Sequence, residues 1–190
     1  MPIIKIKKTK EYIYGIWKIT ENNENLLQKL NPNNEELSQL KKISHLERKA
    51  QSISAKLILN ELAKQKITVL YQNNIPYCNK YSNISISHSG QYSVALISKK
   101  NIGIDLQMYS EKLNKIKNKF INTDEKKNNP SLNDIHKIWT AKEAIYKALK
   151  GEKCSFKKNI FLDHELKNGY YQLGPTNILF DLETIKMNNL

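Results

Sequence analysis

Three stretches of the chain combine residue types and spacings that could do chemistry. Ser85-Ile-Ser-His-Ser-Gly90 gathers hydroxyls, an imidazole and a glycine at the end of a β-type run. A turn there would offer backbone N–H groups and the side chains of Ser87, His88 and Ser89 to a phosphate. An ordinary polar hairpin turn would use the same residues. Gly103-Ile-Asp105-Leu-Gln107 sets an aspartate among apolar neighbours. Such a carboxylate is costly unless it is paired, hydrogen-bonded or beside a cation. On a strand Asp105 and Gln107 share a face; the plain alternative is a strand ending in an Asp-centred turn. In the third stretch, Trp139-Thr-Ala-Lys142-Glu143-Ala-Ile-Tyr-Lys147, the spacing is helical. Ile135, Ile138, Ile145 and Leu149 form an apolar stripe that Lys142 interrupts, and His136, Thr140, Glu143 and Lys147 form the stripe beside it. Glu143 four residues before Lys147 also suits a surface ion pair worth about 0.3–0.5 kcal/mol.

The elements that must position these residues follow from periodicity and punctuation. Pro2–Lys7, Tyr12–Thr20, Thr68–Tyr71, Ile84–Ser87, Tyr92–Ser98 and Ile102–Leu106 are expected as strands. Gly90 joins two of them, Asn73-Asn74 makes a turn, and Lys99-Lys100-Asn101 is expected as a hairpin turn. Glu21–Asn34 is expected as a loop with a helical turn. Ser44-His-Leu-Glu47 has the pattern of a capping box opening a helix to about Gln65. Further helices are expected over Glu111–Phe120 and Ser131–Leu149, the latter capped by Ser131-Leu-Asn-Asp134 and stopped at Gly151. Strands are expected near Ile160, Tyr170 and Ile178–Leu182, and Lys126–Asn129 as an exposed loop. This order predicts an α+β protein of two similar α/β halves, 1–100 and 101–190, although no sequence repeat is visible.

The chain has 190 residues, with 31 Lys+Arg against 18 Asp+Glu and a net charge of +13. Arg48 is the only arginine. The charge favours anionic partners. Nucleic acid is expected to be excluded, because the lysines are spread along the chain and no helix-turn-helix, RNA-recognition or zinc signature is present. Cys78 and Cys154 lack CxxC spacing and the histidines lack paired-ligand spacing. No apolar run approaches the roughly 18 residues of a membrane span, and the lysine-rich N-terminus does not read as a signal peptide. A cytoplasmic protein without membrane contact is expected.

Taken together, the three stretches resemble the 4′-phosphopantetheinyl transferase family. Its pattern is G-[IV]-D followed by W-[ST]-x-K-E-[AS]-x-x-K, here Gly103-Ile104-Asp105 and Trp139 through Lys147. Ile86-Ser87-His88-Ser89 matches its S-H-S segment, and Phe120-Ile-Asn-Thr-Asp-Glu125 resembles its F-[FL]-x-x-x-E segment. The resemblance covers about residues 44–151, and the length is similar to that of the family's larger, monomeric, two-halved type with a pseudo-twofold arrangement.

What the resemblance implies is transfer of the phosphopantetheine arm of coenzyme A to a serine of an acidic acyl or peptidyl carrier protein, releasing adenosine 3′,5′-bisphosphate. It implies Mg²⁺, with Mn²⁺ as an alternative, held by Asp105, Gln107 and Glu143. Glu125, Glu143 and Lys147 take catalytic roles, Glu125 as general base. Arg48, Ser87, His88, Lys142 and Lys147 bind coenzyme A.

There are departures from the family pattern. Gln107 stands where many members carry a glutamate, and Ile75 where many carry a phosphate-binding lysine, for which Lys80 is the expected substitute. Lys56 stands at a second arginine position, and the sequence stops at Leu190 where the family usually has a further closing strand, so the second half is expected to be minimal or trimmed. The alternative is therefore a transferase-like protein that binds coenzyme A or a carrier without efficient turnover.

Overall fold

The computed structural model describes residues 3–127 and 129–187 and divides the chain into two compact units, Met1–Leu106 and Gln107–Leu190. Both mix helices and antiparallel strands, so the chain is α+β.

In the first unit a four-stranded sheet has the order β1-β2-β6-β5, built from β1 (Ile3–Lys8), β2 (Tyr12–Lys18), β5 (Asn83–Ser89) and β6 (Tyr92–Ser98). Thr9 starts the β1–β2 turn by accepting the Glu11 and Tyr12 amides on its hydroxyl. Gly90, at φ 52°, occupies the first central position of the two-residue β5–β6 turn, where a positive φ is required. β6 is buried along its whole length.

Helix α3 (Leu46–Ala63) covers one face of the sheet, where Ile53, Ile58, Leu59 and Leu62 meet Trp17, Ala95 and Ile97, flanked by Ile84 and Ile86. The contact is close: a Cβ on Gly15 of β2 would sit 2.9 Å from Ile58 Cγ2. A glycine is what lets this helix approach.

Two helices precede α3, namely α1 (Asn23–Leu30) and α2 (Asn34–Lys41), where the sequence suggested a loop with one helical turn. Asparagine is a poor interior helix residue but a favoured N-cap. Asn22 and Asn33 serve as caps here, the second in a capping box with Glu36. The box expected at Ser44 does not form: α3 is capped by His45 without a side-chain bond, and Glu47 Oε1 accepts from Gln51 instead.

β3 (Val69–Gln72) and β4 (Ile75–Cys78) form a separate hairpin. Asn73 and Asn74, at φ 51° and 65°, meet the demand of a type I′ turn for two positive φ values. β4 was not among the expected strands; its Pro76 is tolerated because a two-stranded pair leaves one edge of each strand unpaired.

The second unit contains α4 (Lys112–Ile116), a 3₁₀ turn over Lys117–Lys119, α5 (Thr123–Lys127), α6 (Leu132–Ala148) and α7 (Phe156–Asn159). They are followed by the antiparallel sheet β7 (Ile160–Leu162), β8 (Asn168–Leu173) and β9 (Thr176–Asp181). The single helix expected over Glu111–Phe120 is thus α4 plus the 3₁₀ turn. Lys126 is exposed at the end of α5, and residue 128 of the expected loop lies outside the described residues. Ser131 and Asp134 form a capping box at the start of α6, whose exit runs through Lys150 and Gly151 at φ 53° and 76°.

The apolar stripe of α6 serves two clusters. Ile135 and Ile138 pack with Leu113, Phe120 and Ile121, while Ile145 and Leu149 pack with Ile160 and Tyr171. As in the first unit, a strand glycine lies beneath the long helix: a Cβ on Gly169 of β8 would sit 2.3 Å from Ile145 Cδ1.

Candidate active-site elements

In the first unit the expected strand at Ile102–Leu106 belongs to no ladder. The Ile104 amide donates to Ser85 Oγ at 3.0 Å and the Leu106 amide to Ser87 Oγ at 3.2 Å. Both partners lie 19 residues upstream, so the segment advances in the same direction as β5. Serine hydroxyls take the place that backbone carbonyls hold in a ladder. Ser87 Oγ in turn donates to Asp105 Oδ1 at 2.7 Å. These bonds carry the unit on to Leu106, past the division expected at residue 100.

Side chains alternate along β5. Ser85 and Ser87 therefore face the Asp105 segment, while Ile84, Ile86 and His88 face the side that α3 covers. The two residues expected to hold coenzyme A phosphates together, Ser87 and His88, point to opposite faces.

His88 pairs across the hairpin with Ser93, whose hydroxyl reaches Ser54 and the Gln51 carbonyl on α3. Gln51 also donates to the Gly90 carbonyl at 2.7 Å, tying the turn to the helix. Arg48 is exposed three residues before Gln51 on α3. Its charge reaches the Tyr71 phenol, which burial pushes up to about 12, with Arg48 and a hydrogen bond from Ser52 drawing it partly back. Lys80 Nζ donates to Gln65 Oε1 at 2.6 Å.

In the second unit the conspicuous lysine of the helix motif turns inward. Lys142 has no exposed surface, and Nζ donates to the Phe120 carbonyl at 2.8 Å, Glu125 Oε2 at 2.8 Å and the Phe156 carbonyl at 3.0 Å. All three ammonium protons are used. Burial pushes the ammonium below the ordinary lysine value, and the Glu125 charge offsets part of that. Glu125 Oε2 also accepts the Asn122 amide at 2.9 Å, while the Glu125 amide donates back to Asn122 Oδ1. Trp139, one turn before Lys142, meets the Phe120 ring edge-on at 4.9 Å and the Phe156 ring at a tilt at 5.6 Å between centroids. Tryptophan and lysine thus clasp the same two segments, one by ring contact and one by carbonyl bonds.

The first unit repeats this device. Lys56 of α3, 1% exposed, donates to Glu36 Oε1 at 3.1 Å and to the Val69 carbonyl. Glu36 is bonded to Asn33 in a capping box, as Glu125 is to Asn122. Each unit therefore has Asn-x-x-Glu at the start of a short helix and a buried lysine in the following long helix. That lysine also bonds a carbonyl 13 residues on in the first unit and 14 in the second.

Three residues singled out in the sequence are engaged within their own units, though Glu125 Oε1 is buried with no hydrogen-bond partner. Lys142 has no proton left for coenzyme A, Lys56 cannot reach a phosphate from its buried place, and Glu125 is 8% exposed and bound to its lysine. The repeat was missed because only the second lysine lies in a recognisable motif. The signal available for both was a lysine set among the apolar positions of a helix.

Glu143 and Lys147 remain half-buried on α6, one turn apart. His136 is buried, stacks on Tyr109 at 5.0 Å and bonds the Ser110 backbone through Nε2. Gln107 Nε2 donates to the Met108 carbonyl at 2.9 Å. Among the described residues no three His, Cys, Asp or Glu side chains gather as a metal cage. Asp105 belongs to the first unit and Gln107 and Glu143 to the second; carboxylate and amide oxygens are hard donors of the kind that Mg²⁺ takes.

Among the described residues no helix is long and apolar enough to cross a membrane. No protein-family model matches the chain, and no curated protein matches it.

Proposed function

We propose that the chain is a 4′-phosphopantetheinyl transferase of the two-halved type, acting on coenzyme A and an acidic apo carrier protein as a cytoplasmic monomer. The observation that carries the reading is the division of labour on α6. Trp139 and Lys142 turn inward to hold the helix, which leaves Glu143 and Lys147 one turn apart at a half-exposed face. The Asn-x-x-Glu and buried-lysine device present in both units supports the two-halved part of the proposal.

In the reaction the carrier serine oxygen attacks the phosphorus of the phosphopantetheine arm. The bond from that phosphorus to the adenosine bisphosphate oxygen breaks, and the serine proton passes to water. Mg²⁺, or Mn²⁺ in its place, would neutralise the pyrophosphate in a displacement where positioning and charge supply most of the catalysis. Asp105, Gln107 and Glu143 would hold the ion. Lys147 places a positive charge one turn from Glu143, for the transferred phosphate or the leaving group. Arg48 and His88 serve the cofactor from the end of the first unit where α3 begins. Glu125 and Lys142 are reassigned from base and cofactor contact to holding α6.

The test is the pair Asp105→Ala and Glu143→Ala. Each abolishes carrier loading in the presence of Mg²⁺ while far-ultraviolet circular dichroism is unchanged; retained loading in both removes the metal assignment.

A second reading, binding of coenzyme A without turnover, is favoured by the neutral Gln107 amide and by Lys80 being bonded to Gln65. Calorimetric binding of coenzyme A with no loaded carrier would select it.

A further inference from the structure

We propose that Ser87 is a positioning residue for Asp105 rather than a phosphate contact, and that Ser85 and Ser87 together set the path of the Asp105 segment. A serine hydroxyl has one proton. That of Ser87 goes to Asp105 Oδ1 at 2.7 Å, and Ser87 Oγ itself accepts the Leu106 amide at 3.2 Å. A phosphate oxygen can only accept, so binding one through Ser87 would take the proton from Asp105. The side chain is also 6% exposed, among the buried residues of the unit.

Ser85 repeats the arrangement two residues earlier, where its hydroxyl accepts the Ile104 amide at 3.0 Å. The amides on either side of Asp105 are therefore both fixed, and the carboxylate is gripped between them by a charge-assisted bond of the stronger kind. Such a bond turns Oδ1 toward β5 and fixes the rotation of the carboxylate plane. The role of the aspartate in holding a divalent ion rests on the transferase reading; the pin itself does not.

Two measurements separate these levels. In amide hydrogen exchange on the whole chain, Ser87→Ala speeds exchange at Leu106 by about tenfold or more, and Ser85→Ala does the same at Ile104, as expected for loss of one such bond. Ser87→Thr, which keeps a hydroxyl, restores slow exchange. Ser87→Cys, close in shape and a weak donor, repeats the alanine result should the alanine variant lose its fold. Unchanged exchange at Leu106 in Ser87→Ala and Ser87→Cys overturns the pin.

The second measurement follows Mn²⁺ by electron spin resonance with coenzyme A present, alongside the Mg²⁺ dependence of carrier loading. Ser87→Ala weakens Mn²⁺ binding and raises the Mg²⁺ needed for half-maximal loading by about tenfold. The KM for coenzyme A at saturating Mg²⁺ stays at the wild-type value. A raised KM with unchanged metal dependence overturns the positioning role in favour of a phosphate contact. A wild-type chain that loads no carrier overturns the transferase reading alone, and the exchange and Mn²⁺ results still decide Ser87.

Discussion

Lys142 is where sequence pattern and structure assign different work to one residue. A lysine in a phosphate-handling motif invites a ligand role, yet this one donates only to its own unit. Lys56 makes the same kind of buried pair in the first unit. A buried pair is weak grounds for stability as a pair, but removing one partner strands the other charge. Lys142→Met and Lys56→Met are each expected to cost about 3–5 kcal/mol in urea denaturation. Adding Glu125→Gln to Lys142→Met recovers part of the loss, because the amide keeps the cap of α5 without a buried charge. A Lys142→Met protein as stable as wild type, defective only in coenzyme A affinity, would return the residue to the cofactor. The place of Lys142 within the apolar stripe of Ile135, Ile138, Ile145 and Leu149, beside the stripe of His136, Thr140, Glu143 and Lys147, was legible; the inward turn of Trp139 was not. What also could not be read was what would receive Lys142, since its carbonyl partners come from residues 120 and 156.

At the scale of elements, boundaries followed the residues that satisfy backbone groups. The Ser131–Asp134 box, the Asn73-Asn74 turn and the Gly90 turn were visible because each rests on short-range chemistry. The helices at Asn23–Leu30 and Asn34–Lys41 were hidden, because asparagine-rich stretches suggest loops until their asparagines are recognised as caps. The segment around Asp105 has strand-like sequence, but its amides are taken by side-chain hydroxyls, a partner that periodicity does not reveal. Packing of the long helices depends on Gly15 and Gly169. An added Cβ at Gly169 meets Ile145 Cδ1 at 2.3 Å, closer than the 2.9 Å at Gly15 from Ile58 Cγ2. Gly169→Ala should therefore lower stability by about 1–3 kcal/mol and more than Gly15→Ala, measured by thermal unfolding. Ile145→Val, which removes the crowded methyl, should suppress the Gly169→Ala defect. Equal effects of the two alanines would show that the helices adjust freely.

For the molecule as a whole, the sequence suggested two similar halves from element order alone, with no repeat to support them. The repeat lies in chemistry rather than in sequence identity: Asn33, Glu36 and Lys56 in one unit, Asn122, Glu125 and Lys142 in the other. Each set is dispersed over some twenty residues, so a window-by-window comparison passes over it. Burying Lys56 with Glu36 and Lys142 with Glu125 withdraws two charges of each sign, so the net charge of +13 stays with the other residues. In the proposed reaction the field of that charge would draw in anionic partners and supply on-rate rather than specificity. Specificity in the proposed reaction rests on Asp105, Glu143 and Lys147. The most direct test is the intact mass of several apo acyl and peptidyl carrier proteins after incubation with the full chain, coenzyme A and millimolar Mg²⁺. The account predicts a gain of about 340 Da on at least one carrier, lost when the metal is chelated. No gain on any carrier, with the chain folded and coenzyme A present, would contradict it.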